Sequence, residues 1–153
     1  MAISESPEVS GIKISVDAAP SGTPAGSASV IGHIDSIGNI IDKSRNVNKY
    51  TPVNDTEYSE IVALGSLQLG TFNATVLYNP SGTEGVNKIE SAIDNNEEVQ
   101  IIIELNDSLG TNGTTIAQIC KISGFTVDGE QDGFYKANIT AERVGLPTIT
   151  AAA

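Results

Sequence analysis

The chain has 153 residues, 39% of them hydrophobic and 5% aromatic with no tryptophan, which suits one domain with a thin core. Its 19 acidic residues against 8 basic ones give a net charge of −11, so the chain as a whole cannot neutralise phosphates and tight nucleic-acid binding is excluded. No stretch approaches the roughly 18 apolar residues of a membrane helix and no basic-then-apolar leader opens the chain, so a soluble protein without a cleaved leader is expected.

Taken in order, "MAISESPEVSG" is polar and patternless and reads as an N-terminal arm, residues 1–11 of a single domain spanning 1–153. "IKISV" is a short β-branched strand, and Asp17 to Ser29, rich in Pro, Gly, Ser and Ala, is loop. "SVIGHIDSIG" and "NIIDKSRNVNKY" have strand character and are divided by the turn signal Gly38-Asn39. Lys43 to Glu60 mixes both charge signs with a proline, so it is either a long loop or a hairpin projecting from the body, with residues 42–57 as the projecting part. Then Phe72, Ala74, Val76 and Tyr78 alternate with Thr71, Asn73, Thr75 and Leu77 in a one-sided strand that stops at Asn79-Pro80.

The period changes at residue 81. Val86, Ile89, Ala92 and Ile93 form the apolar stripe of a helix over 81–96, and Ser81 with Glu84 matches a capping box. "EEVQIIIEL" alternates Val99, Ile101, Ile103 and Leu105, "NDSLGTNGTT" is a turn, and "IAQICKISGFTV" returns as a strand. Cys120, the single cysteine, reads as a small buried hydrophobe. In "FYKANITAERV" Tyr135, Ala137, Ile139 and Ala141 face one way while Lys136, Asn138, Thr140 and Glu142 face the other.

Candidate chemistry is sparse. "VDGEQDGFYKA" places Asp128, Glu130, Asp132 and Gly133 at positions one, three, five and six of a calcium loop, but position twelve is Ile139 instead of a bidentate carboxylate. Asp128-Gly129 and Asp132-Gly133 are therefore read as turn residues joining two strands. His33, the only histidine, has no placed partner and is read as a satisfied structural residue in a strand. Glu97 and Glu98 are strand neighbours on opposite faces and cannot flank one bond. The sequons at Asn54, Asn73, Asn106, Asn112 and Asn138 are read as accidents of composition. No catalytic, metal or cofactor site is assigned. Lys43, Arg45 and Lys49 precede Asp55, Glu57 and Glu60, so opposite signs at the two ends of one projecting segment point to pairing between copies.

The stretch "GSLQLGTFNATVLYNPSGTEGVNKIESAIDNNEEVQIIIEL", with "TTIAQICKIS" and the closing "GFTVDGEQDGFYKANITAERVGLPTIT", resembles the major tail tube proteins of long-tailed bacteriophages. Members of that family also resemble the type VI secretion tube protein. The likeness runs from Gly65 to Thr150, is one of pattern and not of a short motif, and agrees over the N-terminal third only in element order. It implies a mainly β fold, a β-sandwich or small barrel packed on one helix, assembled as hexameric rings that stack into a hollow tube. Met1–Gly11, Lys43–Glu57 and the C-terminal arm Gly145–Ala153 would bridge rings. The implied function is a conduit that carries viral DNA to the host without binding it tightly. A tape-measure protein would fill the lumen, with tail terminator and distal tail proteins at the ends and a sheath if the tail contracts. The location implied is the virion tail, assembled in the bacterial cytoplasm. The rival is an immunoglobulin-like adhesion or virion decoration module, which would be monomeric and has no use for the mid-chain helix.

Overall fold

The computed structural model describes residues 11–50, 61–79, 84–129 and 133–153. Its strands are β1 (Lys13–Ala18), β2 (Ser29–Val30), β3 (Ile34–Ile37), β4 (Lys43–Tyr50), β5 (Ile61–Leu69), β6 (Thr71–Leu77), β7 (Glu98–Glu104), β8 (Thr115–Asp128), β9 (Lys136–Arg143) and β10 (Thr148–Thr150). One helix, α1 (Gly85–Asn95), lies between β6 and β7.

Eight strands form one antiparallel sheet in the order β2-β1-β7-β8-β9-β6-β3, with β10 added to β8. Its two ends are consecutive in sequence, since β2 pairs with β1 and β3 with β6. Between them, Ile31 N–H donates to Ile14 O at 2.8 Å and Leu77 N–H donates to His33 O at 2.8 Å. The segment 29–37 thus bridges both ends and curls the sheet round a single interior, the sandwich or small barrel expected from the sequence.

Strand alternation fills that interior. Phe72, Ala74 and Val76 of β6 face inward with Val99, Ile101 and Ile103 of β7, and with Ala137, Ile139 and Ala141 of β9. Cys120 is buried as expected, and burial pushes its thiol up to about 12. The helix closes the side formed by β1, β7 and β8. Val86, Ile89 and Ala92 are fully packed and Ile93 is half-buried at the stripe's margin. Complete burial of one such isoleucine is worth about 1.5–3 kcal/mol.

The start of the helix differs from the expected capping box. Glu84, not Ser81, holds the N-cap position and makes no side-chain cap bond; Ser81 lies outside the described residues. Packing decides the entry point. Gly85 sits flush on the 29–31 segment, where a Cβ would meet Ser29 O at 2.8 Å and Ile31 Cα at 2.9 Å. Val86 N–H then donates to Ile31 O at 3.3 Å, so the segment after β2 caps the first turn. The other end closes locally: Asn96 is left-handed (φ 54°) and Glu97 N–H donates to Ala92 O at 2.9 Å, a Schellman closure.

Two further expectations are corrected. His33 is exposed in the coil between β2 and β3, because residues 31–33 cross from one end of the sheet to the other instead of joining a strand. Tyr135 is exposed, since β9 begins only at Lys136. The C-terminal arm lies along the body. After β9, Val144 N–H donates to Ile119 O at 2.9 Å, buried Gln118 Nε2 donates to Gly145 O, and β10 resumes pairing with Thr115–Ala117. Leu109, Thr111 and Asn112 N–H groups all donate to Ala153 O at 3.0–3.2 Å. β9 and β10 therefore run as one interrupted strand along the same edge of β8. The β8–β9 connection follows Asp128, in keeping with a turn between two strands, but Asp128 itself ends β8 opposite Lys136, and Asp132 lies outside the described residues.

Candidate assembly surface: the hairpin and its root

β4 and β5 form a separate two-stranded sheet. The choice left open between loop and hairpin is settled in favour of a hairpin, beginning at Lys43. Every residue of β4 is exposed, because neither strand packs on the body.

The register explains what this hairpin displays. Lys43 is opposite Leu69, Arg45 opposite Leu67 and Val47 opposite Leu64. Between the last two pairs β5 carries an extra residue, so Gly65 and Ser66 together oppose Asn46. In a regular strand Leu64 and Leu67, three apart, would point to opposite faces. The bulge brings both onto the face that holds Lys43, Arg45 and Val47. A Cβ on Gly65 would stand 3.4 Å from the Asn46 Cβ, an ordinary contact, so the bulge lies against β4 without crowding. Leu64 is 62% exposed and Val47 55%, an apolar patch with cations at its margin that no described residue covers. β4 and β5 contain three of the chain's 8 basic residues and none of its 19 acidic ones.

Of the sequence-predicted pairing residues, Lys43, Arg45 and Lys49 share alternate positions on β4. Arg45 Nη1 donates to Gly65 O at 2.9 Å across the bulge, so part of its capacity is used within the hairpin. Asp55, Glu57 and Glu60 lie outside the described residues. The apolar members, Val47, Leu64 and Leu67, were missed from sequence because period-two counting splits the two leucines.

The described residues tie the hairpin to the body at its base. Gly38 N–H donates to Asn73 O at 2.7 Å and Gly70 N–H donates to Asp42 O at 3.2 Å. A Cβ on Gly70 would overlap the Asp42 carboxylate, so any larger residue there must displace that side chain. Beneath them lies Arg143, 9% exposed, whose Nη2 donates to Asn39 O and, at 3.1 Å, to Ile40 O. Its guanidinium rests over the Phe72 ring, 5.9 Å from the centroid. A signal for it existed: the inward alternation 137, 139, 141 continues to 143.

Elsewhere, a surface hollow of about 510 Å³ lies between β1 and residues 30–37 and holds His33, Lys13 and Asp35. Asp35 is engaged by Lys136 at 3.3 Å. Among the described residues no three His, Cys, Asp or Glu side chains converge as metal ligands, and no helix is long and apolar enough to cross a membrane.

The fold recurs in solved structures. A chain in the tail of an empty gene transfer agent particle, refined with C6 symmetry, matches with TM-score 0.70 at 11% identity, over 95% of this chain and 100% of that one. The chain has the tail-tube fold. The tail tube of SPP1 shares that fold at TM-score 0.68 and 14% identity, over 95% of this chain and 81% of the other. So does a chain of the sheath-tube complex of an extracellular contractile injection system, at 0.66 and 17%, over 98% and 95%. No family model and no curated protein matches the sequence.

Proposed function

We propose that this chain is the repeating structural subunit of a tail tube, in which copies close into sixfold rings and rings stack into a hollow conduit. One observation carries the reading: a tail-tube fold over nearly the whole chain that leaves a hairpin with an uncovered apolar and cationic face. An isolated module gains nothing from such a face, whereas a second copy of an otherwise acidic chain complements its charge. The sheet supports the same reading. β7 pairs with β8 only through Lys121, and no strand among the described residues pairs with that edge of Ile122–Asp128. Such an edge invites the strand of a neighbour.

The finer roles follow from this one. The partners are further copies, terminator proteins at the tube's end, a tape-measure protein within the lumen during assembly, and a sheath where the tail contracts. The cargo is DNA, passing a wall of acidic subunits without tight binding, and the location is the tail of a virion or a virion-like particle. Negative-stain microscopy of the purified chain, concentrated or seeded, tests the reading. Rings and tubes of uniform diameter are expected. A protein that sediments as a monomer under every seeding condition refutes it and favours the adhesion module.

A further inference from the structure

Arg143 is the one basic side chain buried among the described residues, beside a core of apolar side chains. It is nine-tenths buried, and no carboxylate among the described residues lies within ion-pair distance of it. Its Nη1 is buried and donates to nothing. A cation held this way loses hydration and regains only carbonyl bonds and an aromatic face, so an apolar side chain of similar length would serve the core at least as well. Stability does not account for it.

Its acceptors do suggest a role. Asn39 O and Ile40 O belong to the connection that leaves β3 and turns into β4, four and three residues before the hairpin begins. β9, which carries Arg143, is in the middle of the sheet, paired on both edges by β6 and β8. The guanidinium thus links the most rigid part of the body to the base of its least supported part. Planar and donating from one nitrogen to two successive carbonyls, it fixes the direction of that short segment as well as its distance.

We propose that Arg143 is a positioning residue that sets the angle at which the β4–β5 hairpin leaves the body. The value of a set angle rests on the tube reading, since a fixed hairpin meets its neighbour without first being ordered; the pin itself is a property of the single subunit. The test therefore uses unassembled protein. Spin labels at Asn48→Cys on the hairpin and Asp94→Cys on the helix, both exposed positions, report the distance between the two regions, while buried Cys120 stays unlabelled.

The parent is expected to give one narrow distance peak. Arg143→Met keeps apolar bulk over Phe72 and removes the donors; it should lose that narrow peak while its unfolding midpoint stays unchanged or rises. Arg143→Lys, which keeps the charge without the planar fork, should broaden the peak less. A methionine variant with the parent's narrow peak overturns the proposal, as does a broad peak in the parent. Should the methionine variant fail to fold, the lysine variant decides: a peak as narrow as the parent's overturns the pin, and a broadened one supports it. Failure of tubes to form leaves these distances readable, so the two ideas can fall separately.

Discussion

The body and the hairpin of this protein are made of the same kind of strand and held by opposite means. In the body, alternate side chains of β6, β7 and β9 point into one interior, and each strand is fixed by partners on both edges and by the packing beneath. In the hairpin, β4 and β5 have only each other, and the larger side chains on their shared face are left in water. Amphipathic alternation alone does not say where a strand's apolar face will go. That face is core when the same chain supplies a second layer, and interface when it does not.

The contrast can be broken from either side, and the largest effect belongs to the body. Ile89 is fully buried at the centre of the helix stripe. Ile89→Asp places a carboxylate there without a partner, at a cost of several kcal/mol that is on the order of the whole domain's stability. Loss of the cooperative melt by circular dichroism is expected.

Next comes the seam between helix and strand. Gly85→Val pushes side-chain atoms against the backbone of Ser29 and Ile31, which cannot move without opening the closed sheet. A loss of about 1–3 kcal/mol is expected by urea denaturation, with the fold retained.

A smaller effect is written in pH. Thr114 Oγ1 and N–H donate to the Asp107 carboxylate at 2.6 and 2.7 Å and hold its carboxyl below the usual carboxylate range. A lowered folded-state value means stabilisation that is fully present above the ordinary carboxylate range and lost as pH falls through the lowered one. Thr114→Val removes one of the two bonds. Its deficit in urea midpoint relative to the parent should be visible at neutral pH and shrink towards strongly acidic pH; a deficit that is flat with pH would show that the bond does not act through titration.

The smallest effect on the fold is predicted in the hairpin, where the effect on assembly is complete. Leu64→Asp with Leu67→Asp changes two exposed positions, so subunit stability should stay within about 0.5 kcal/mol of the parent. Tube formation should nevertheless be abolished in seeded microscopy. A destabilised subunit would show that the face is covered by its own chain.

How much of this could be read from sequence depends on where the deciding contacts lie. The alternation of Phe72, Ala74 and Val76, of Val99, Ile101 and Ile103, and of Ala137, Ile139 and Ala141 is local and led directly to the buried faces. The helix stripe was legible for the same reason, and so was the turn after Asp128, whose missing twelfth ligand can be counted. The rest is decided by contacts distant in sequence. The helix starts at Gly85 because residues 29–31 meet it there, and His33 is exposed because its segment crosses between the sheet's ends. On the hairpin, the charged residues were visible and the apolar ones were not, because one extra residue in β5 reverses the facing of everything beyond it.

β8 has a mechanical consequence. At fourteen residues it is the longest strand, and β7, β9 and β10 are all fastened along its length. A pull parallel to it loads those ladders in shear, so many hydrogen bonds must fail together. A pull across it peels them one at a time. The subunit is therefore stiff along one axis and compliant along the other, and a wall of such subunits would resist stretching or bending according to how β8 is inclined to the direction of load.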